Sequence, residues 1–324
     1  MQLHPWVAEP PDALRFGVAG GTPDGWGGLR DFVQMAEGLG FDSYWCPDHP
    51  LLMSEPWSTL AAVATSTSRL RLGSMVSCVY YRNPVLLART VADVDRLSSG
   101  RVVLGLGAGD MPHEFRAMGI PYPPLARRLA ALRDVLEVVP PLLRGESVTY
   151  AGQYVQVEGA QLRVPAVQQP HVPIMVAGGG ERTTLQLVAR YADASNLTAA
   201  GWGGAAVTPA DVGRKYDSLQ EHCRAASRPP EAVLRSILFV PTLLAESAAA
   251  LEAKRARVPP AVLQFLLQFG GPAALMGTPE QAAERLRPLV EAGCRYFIFS
   301  TTDADTLRLV AEQVMPALSS RTIA

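Results

Sequence analysis

Short apolar runs alternate with amphipathic stretches along most of the chain. Arg15–Ala19, Ser43–Cys46, Leu70–Val76, Val102–Leu106, Ile174–Ala177, Ala194–Leu197, Leu234–Leu244 and Tyr296–Ser300 have the length and apolar character of buried strands. Between them, Leu29–Leu39, Ser58–Thr67, Pro84–Leu97, Leu125–Leu143 and Thr183–Tyr191 carry apolar residues at helical spacing. Gly40 supplies a stop, Pro84 suits a first helical turn, and Pro140-Pro141 predict a disturbed or early end to the long helix. Ser147–Tyr150 and Tyr154–Glu158, joined by Ala-Gly-Gln, read as a small hairpin, and Ala245–Pro272 as a largely helical insertion.

Strand and helix alternating in this way imply parallel strands joined by right-handed crossovers. Eight strand signals without a linker fit a closed α/β barrel, the (β/α)8 TIM barrel, better than an open sheet in two halves. The expectation is one barrel domain over residues 1–324, with a hairpin insertion at about 147–158 and a helical insertion at about 245–272. Working residues then belong in the loops that follow the carboxyl ends of the strands.

Composition narrows the partners. A net charge of −1 with interspersed signs leaves no electrostatic footprint for nucleic acid or a membrane surface. Neither a signal peptide nor an apolar stretch of transmembrane length is apparent, so a cytoplasmic protein is expected. Cys46, Cys78, Cys223 and Cys294 are scattered without a Cys-x-x-Cys pair, which supports neither zinc nor a disulfide framework.

Three loops carry candidate chemistry. After strand two, Asp48-His49 offers an imidazole able to exchange a proton near neutral pH, with a carboxylate to orient it or meet a ligand. His113, beyond strand four, is a second candidate to face the site, whereas His4, His171 and His222 read as structural or solvated. No His-x-His pair follows strand one, which weakens a metal-hydrolase reading. Small residues at Ser77 and Cys78, and on strand four at Gly107, would admit a flat ligand close to the backbone; Tyr80, Tyr81 and Trp202 are possible pocket walls.

After strand five, Ala177-Gly178-Gly179-Gly180 leads into a helix, and a glycine turn feeding a helix leaves N–H groups facing outward toward a phosphate. Arg182 adds a charge. Gly105-Leu106-Gly107-Ala108-Gly109-Asp110 fails the dinucleotide fingerprint at its third glycine, and the strand-five turn lacks the Gly-Lys-Ser/Thr ending of a P-loop.

Thr67-Ser68-Arg69-Leu70-Arg71-Leu72-Gly73, Arg82-Asn83-Pro84, Leu97-Ser98-Ser99-Gly100-Arg101, Gly105–Gly109, Glu114-Phe115, Gly277-Thr278-Pro279-Glu280 and Ala292-Gly293 before Tyr296–Ser300 occur in order. Together they resemble the bacterial luciferase-like superfamily of flavin- and deazaflavin-dependent oxidoreductases, in particular its coenzyme F420 branch. The resemblance implies a (β/α)8 barrel, commonly a homodimer, with the flavin or deazaflavin ring at the strands' carboxyl ends. It places Asp48 and His49 beside ring and substrate, a non-proline cis peptide at Ser77–Cys78 against the ring, and the phosphate at Ala177–Arg182. Glu114 becomes a second acid–base group or a cofactor contact. One departure is that Pro50-Leu51-Leu52-Met53 follows His49 where some members carry a tryptophan, so substrate contacts do not carry over.

The function expected is hydride transfer between coenzyme F420 and a small organic substrate, with His49 managing the proton. Asp48-His49 and a composition rich in Ala, Arg and Pro favour F420. The alternative is an FMN-dependent monooxygenase fed by a separate flavin reductase. A non-catalytic flavin-binding protein is disfavoured by His49 and Glu114, and a nicotinamide dehydrogenase by the failed fingerprint.

Overall fold

The computed structural model describes residues 3–8, 13–21, 25–198 and 208–319. Eight parallel strands, β1 (Arg15–Ala19), β2 (Ser43–Cys46), β3 (Arg71–Ser74), β4 (Val102–Gly107), β5 (Ile174–Ala177), β6 (Ala194–Thr198), β7 (Leu234–Phe239) and β8 (Tyr296–Ser300), follow one another around a barrel. Pairing of β3 with β4 at Leu72–Val102 closes it. The structure is thus the (β/α)8 barrel that the alternating pattern predicts, with four of the eight strands beginning and ending at the expected residues.

Residues alternate between two cores. Outward side chains such as Phe16, Val18, Leu72, Leu104, Val176 and Phe297 pack under the helices. Inward ones, among them Trp45, Val103, Met175, Ala194, Tyr296 and Ile298, fill the interior. A Cβ on Gly73 would stand 2.1 Å from the Trp45 ring, so glycine there makes room for an indole. Trp45 Nε1 donates to the Tyr296 hydroxyl at 3.0 Å, which in turn donates to Asp42 Oδ2 at 3.1 Å, satisfying polar atoms that the interior would otherwise strand.

Beyond small shifts at strand ends, three features differ from the sequence expectation. The long helix runs unbroken over Leu125–Leu143 with both prolines inside it. They remove N–H groups only near its last turn, where buried Leu142 and Leu143 hold the segment to the core. Strand seven ends at Phe239; after a cis Val240–Pro241 bond the chain pairs Thr242–Leu244 with Leu275–Gly277, which brackets the helical insertion. The non-proline cis bond lies at Met75–Val76, not at Ser77–Cys78. Leu72 and Gly73 pair with Val102 and Val103, but Ser77 and Cys78 pair with Leu106 and Gly107. One extra residue is therefore accommodated between Gly73 and Ser77, where the bond falls, while Ser77–Cys78 continues the ladder.

The hairpin Val148–Ala151/Gln156–Ala160 is docked by buried Asp134, which accepts from the Tyr150 hydroxyl at 2.9 Å and the Tyr154 N–H at 2.8 Å. At the other end of the barrel Trp6 packs beneath the interior, with the Arg15 and Arg71 guanidinium groups 5.8 and 5.7 Å from its ring. His4 beside it is buried, with its ring against His171.

Burial lowers the His4 pKa to about 4 from 6.5, helped by Arg71 and His171 and opposed by Asp193. The unfolded chain therefore takes a proton on this ring at a pH where the fold resists it, so stability is lost as pH falls from about 6.5 toward about 4. Urea unfolding at pH 7.5 and 4.5 is expected to show wild type losing about 2–3 kcal/mol more than His4→Gln. Equal losses in the two proteins contradict this.

Candidate active site

The loop after β2 brings Asp48 and His49 to the barrel mouth, and the loop after β3 grips them. Asp48 is buried, and its carboxylate accepts from Arg82 Nη1 at 2.6 Å, Arg82 Nη2 at 3.1 Å and the Cys78 N–H at 3.1 Å. Arg82 also reaches Glu55 at 2.7 Å. Glu55 caps the helix Pro56–Ser66 through the Ser58 N–H at 2.6 Å. This fork ties the loops after β2 and β3 into one frame. Arg82→Met leaves two carboxylates facing each other without their cation, one of them buried, and is expected to cost about 3 kcal/mol in urea unfolding. A loss near zero would show the fork to be ornamental.

Glu114 comes from the short helix Pro112–Ala117 after β4 and is fully buried. Its Oε2 lies 3.2 Å from His49 Nδ1 and accepts from the Tyr81 hydroxyl at 3.1 Å. Its Oε1 is buried without a hydrogen-bond partner among the described residues. A buried carboxylate oxygen left in this state is placed to meet a ligand's donor. Burial, then the nearby Cys78 and Glu114, push the Tyr81 hydroxyl above its usual range, so it stays protonated and donates. Asp110 is solvent-accessible yet crowded by protein atoms in the concave mouth; this desolvation raises its pKa, Glu114 adds to the rise, and His49 opposes it. His113 is exposed on the same short helix.

The floor between β3 and β4 is close-packed. A Cβ on Gly107 would stand 2.5 Å from Val76 Cγ2, so protein packing already requires a glycine there. Ser77 turns its hydroxyl outward to accept from Trp57 Nε1 at 3.1 Å, leaving backbone as its only contribution to the mouth. Burial lifts the Cys78 thiol to about 12, which keeps it protonated and unreactive. Tyr80 and Tyr81 border a cavity of about 320 Å³ shared with Val135 and Tyr154 from the helix Leu125–Leu143 and the hairpin turn. Trp202 lies outside the described residues.

After β5 the chain leaves Ala177 into Gly178 at φ +118°, a conformation for glycine. Among the described residues, none of the N–H groups of Gly179, Gly180, Glu181, Arg182 and Thr183 donates a hydrogen bond. The carbonyls, by contrast, are held from behind. Buried Lys215 donates to the Gly179 carbonyl at 2.6 Å, and His222 Nε2 meets the Glu181 carbonyl at 2.7 Å. Both stand on the helix Pro209–Ala225, seven residues apart on one face. With its oxygens fastened, the loop has unpaired donors and the amino end of the helix Thr184–Tyr191 to offer an anion. Arg182 is exposed, with no hydrogen bond or ion pair to the described residues. A phosphate-bearing flavin or deazaflavin fits this donor set.

Sequence reasoning missed Tyr81 as a partner of Glu114, Arg82 as the clamp on Asp48, and Lys215 and His222 as supports of the glycine loop. Only the last pair left a signal, a basic residue and a histidine recurring at helical spacing.

A parallel barrel with a His49–Glu114 contact and a turn of unpaired N–H groups at one mouth has the layout of a ligand-binding α/β-barrel enzyme. The luciferase-like monooxygenase family profile matches residues 13–270, and the chain belongs to that family. It is 27% identical over 327 residues to an F420-dependent glucose-6-phosphate dehydrogenase of Amycolatopsis mediterranei, covering 90% of this chain and 95% of that one. Its fold is similar to that of the F420-dependent tetrahydromethanopterin reductase of Methanopyrus kandleri, with a TM-score of 0.78 at 21% identity over 95% of this chain and 100% of that one. It is also similar to that of EDTA monooxygenase from Chelativorans sp. BNC1, with a TM-score of 0.76 at 17% identity over 95% of that chain and 96% of this one. The protein is a luciferase-like oxidoreductase. No helix among the described residues is long and apolar enough to cross a membrane.

Proposed function

We propose that the protein transfers a hydride between coenzyme F420 and a small organic substrate. The observation that carries this reading is the His49–Glu114 contact of 3.2 Å at the barrel mouth, with Tyr81 as Glu114's second partner. Oxidation of an alcohol or reduction of a carbonyl by hydride moves a proton at the oxygen as well, and a half-buried imidazole backed by a buried carboxylate suits that task.

Bound F420 supplies a ring carbon that accepts or donates the hydride. The chain supplies position and proton management. With its Nδ1 held 3.2 Å from Glu114, His49 is the residue that exchanges the proton with the substrate oxygen. The frame of Asp48, Arg82 and Cys78 fixes the segment that carries His49. Gly178, Gly179, Gly180 and Arg182, following Ala177, hold the cofactor phosphate, while Asp48, Gly107 and the backbone at Ser77–Cys78 border the ring. The reading extends to one barrel domain over the whole chain, working as a homodimer in the cytoplasm.

The second reading, an FMN-dependent monooxygenase, draws support from the same anion cradle, which suits either phosphate. Anaerobic mixing with oxidised F420 and a panel of alcohols separates the two. Bleaching of the deazaflavin absorbance supports hydride transfer; oxygen uptake with reduced FMN, and no F420 reaction in either direction with alcohols or carbonyls, overturns it.

A further inference from the structure

Directly after His49 the chain makes one turn in which the N–H groups of Leu52 and Met53 both donate to the His49 carbonyl at 2.9 Å. The three side chains on this turn, Leu51, Leu52 and Met53, are 50%, 49% and 39% exposed. Met53 leans toward the neighbouring loop after β1, where a Cβ on Gly21 would lie 4.0 Å from its sulfur. Trp26, 43% exposed, opens the helix that follows that loop. Consecutive exposed leucines beside half-buried His49 call for an occupant, since their apolar area gains nothing from water.

Charge in the same sector says what kind. The loops after β8, β1 and β2 are neighbours around the barrel. Residues 20–21, 47–55 and 301–303 include Asp48, Glu55 and Asp303 and no lysine or arginine. Arg82 and Lys254 reach these loops from other segments, and both are engaged. Arg82 is bound by Asp48 and Glu55, and Lys254 donates to Asp303 at 2.6 Å and to the Leu244 carbonyl at 2.9 Å. A phosphate or carboxylate on a substrate entering here meets carboxylates and occupied cations, at a cost in desolvation that no partner offsets.

We propose that Leu51, Leu52 and Met53 form a substrate lip that receives the aliphatic or aromatic part of an uncharged substrate. They are specificity-determining residues, and the substrate class is a neutral apolar alcohol or carbonyl compound, not a sugar phosphate. The inference rests on the oxidoreductase reading for the position of substrate beside His49, and it is independent of which cofactor is bound.

Calorimetric titration of the full chain with alkan-2-ols from propan-2-ol to nonan-2-ol, with and without F420, tests it. The dissociation constant is expected to fall about two- to fourfold per added methylene. Glucose 6-phosphate is expected to bind more weakly than heptan-2-ol. In the double variant Leu51→Ser/Leu52→Ser the dependence on chain length flattens while F420 affinity is retained. Affinity that ignores chain length in wild type, or tighter binding of glucose 6-phosphate, overturns the lip. So does sedimentation showing that the double variant breaks a dimer while keeping the wild-type chain-length dependence, because the leucines then face a second copy. Chain-length dependence without any F420 binding sustains the lip and removes only the cofactor reading.

Discussion

Replacing His49 by Ala is expected to slow F420-linked turnover by about 10²–10⁴-fold, the range for loss of a positioned acid–base group. The ring sits on a loop already fixed by Asp48 and Arg82, so the variant should fold and bind F420 within a few-fold of wild type. Unchanged turnover with an identified substrate would remove His49 from the mechanism. Tyr81→Phe gives a subtler companion result. It keeps the ring that packs on Phe115 at 5.3 Å and deletes the donor to Glu114. Glu114 then holds His49 with one donor fewer to fix its own position, so kcat is expected to fall several-fold while F420 affinity stays at the wild-type value. A purely structural tyrosine would leave kcat in place.

The second large effect concerns the loop after β5. Gly179→Asp puts a carboxylate among N–H groups left without acceptors and beside the expected phosphate, and should weaken F420 or FMN binding by about 100-fold or more. The barrel should survive, because the change falls in a loop outside the sheet ladders, and melting of the apo variant should stay close to wild type. Equal cofactor affinity in wild type and variant refutes the phosphate assignment. Lys215→Met approaches the same loop from behind: the Gly179 carbonyl loses its buried partner, and cofactor affinity should fall although Lys215 touches no ligand.

The elements legible in the sequence are those whose signal is local. Ile174–Ala177 is a short apolar run closed by glycines, and Tyr296–Ser300 by polar residues, so both strands end where the pattern says. Pro84–Leu97 carries its own cap, with Asn83 accepting from the Val85 and Leu86 N–H groups. Where tertiary packing overrode local preference, the pattern misled. Pro140 and Pro141 stay helical on a buried face, and the apolar run Leu234–Leu244 is split at Pro241, whose missing N–H suits a bend and not a ladder.

The candidate site divides the same way. Asp48, His49, Glu114 and the three glycines were visible as residue types at strand ends. Their relations were not, because Arg82 lies 34 residues from Asp48, Glu114 lies 65 residues from His49, and Lys215 lies 36 residues from Gly179. The family resemblance located the cis peptide two residues too late, since an extra residue in the β3–β4 register cannot be read without the pairing itself.

Direct titration of the purified protein with F420 and, separately, with FMN, followed by cofactor absorbance and fluorescence, tests the central claim most simply. The expected result is saturable F420 binding that Gly179→Asp weakens and His49→Ala does not, with FMN bound more weakly. Tight FMN binding with no response to F420 would contradict hydride transfer through F420 and leave the barrel to the monooxygenase reading.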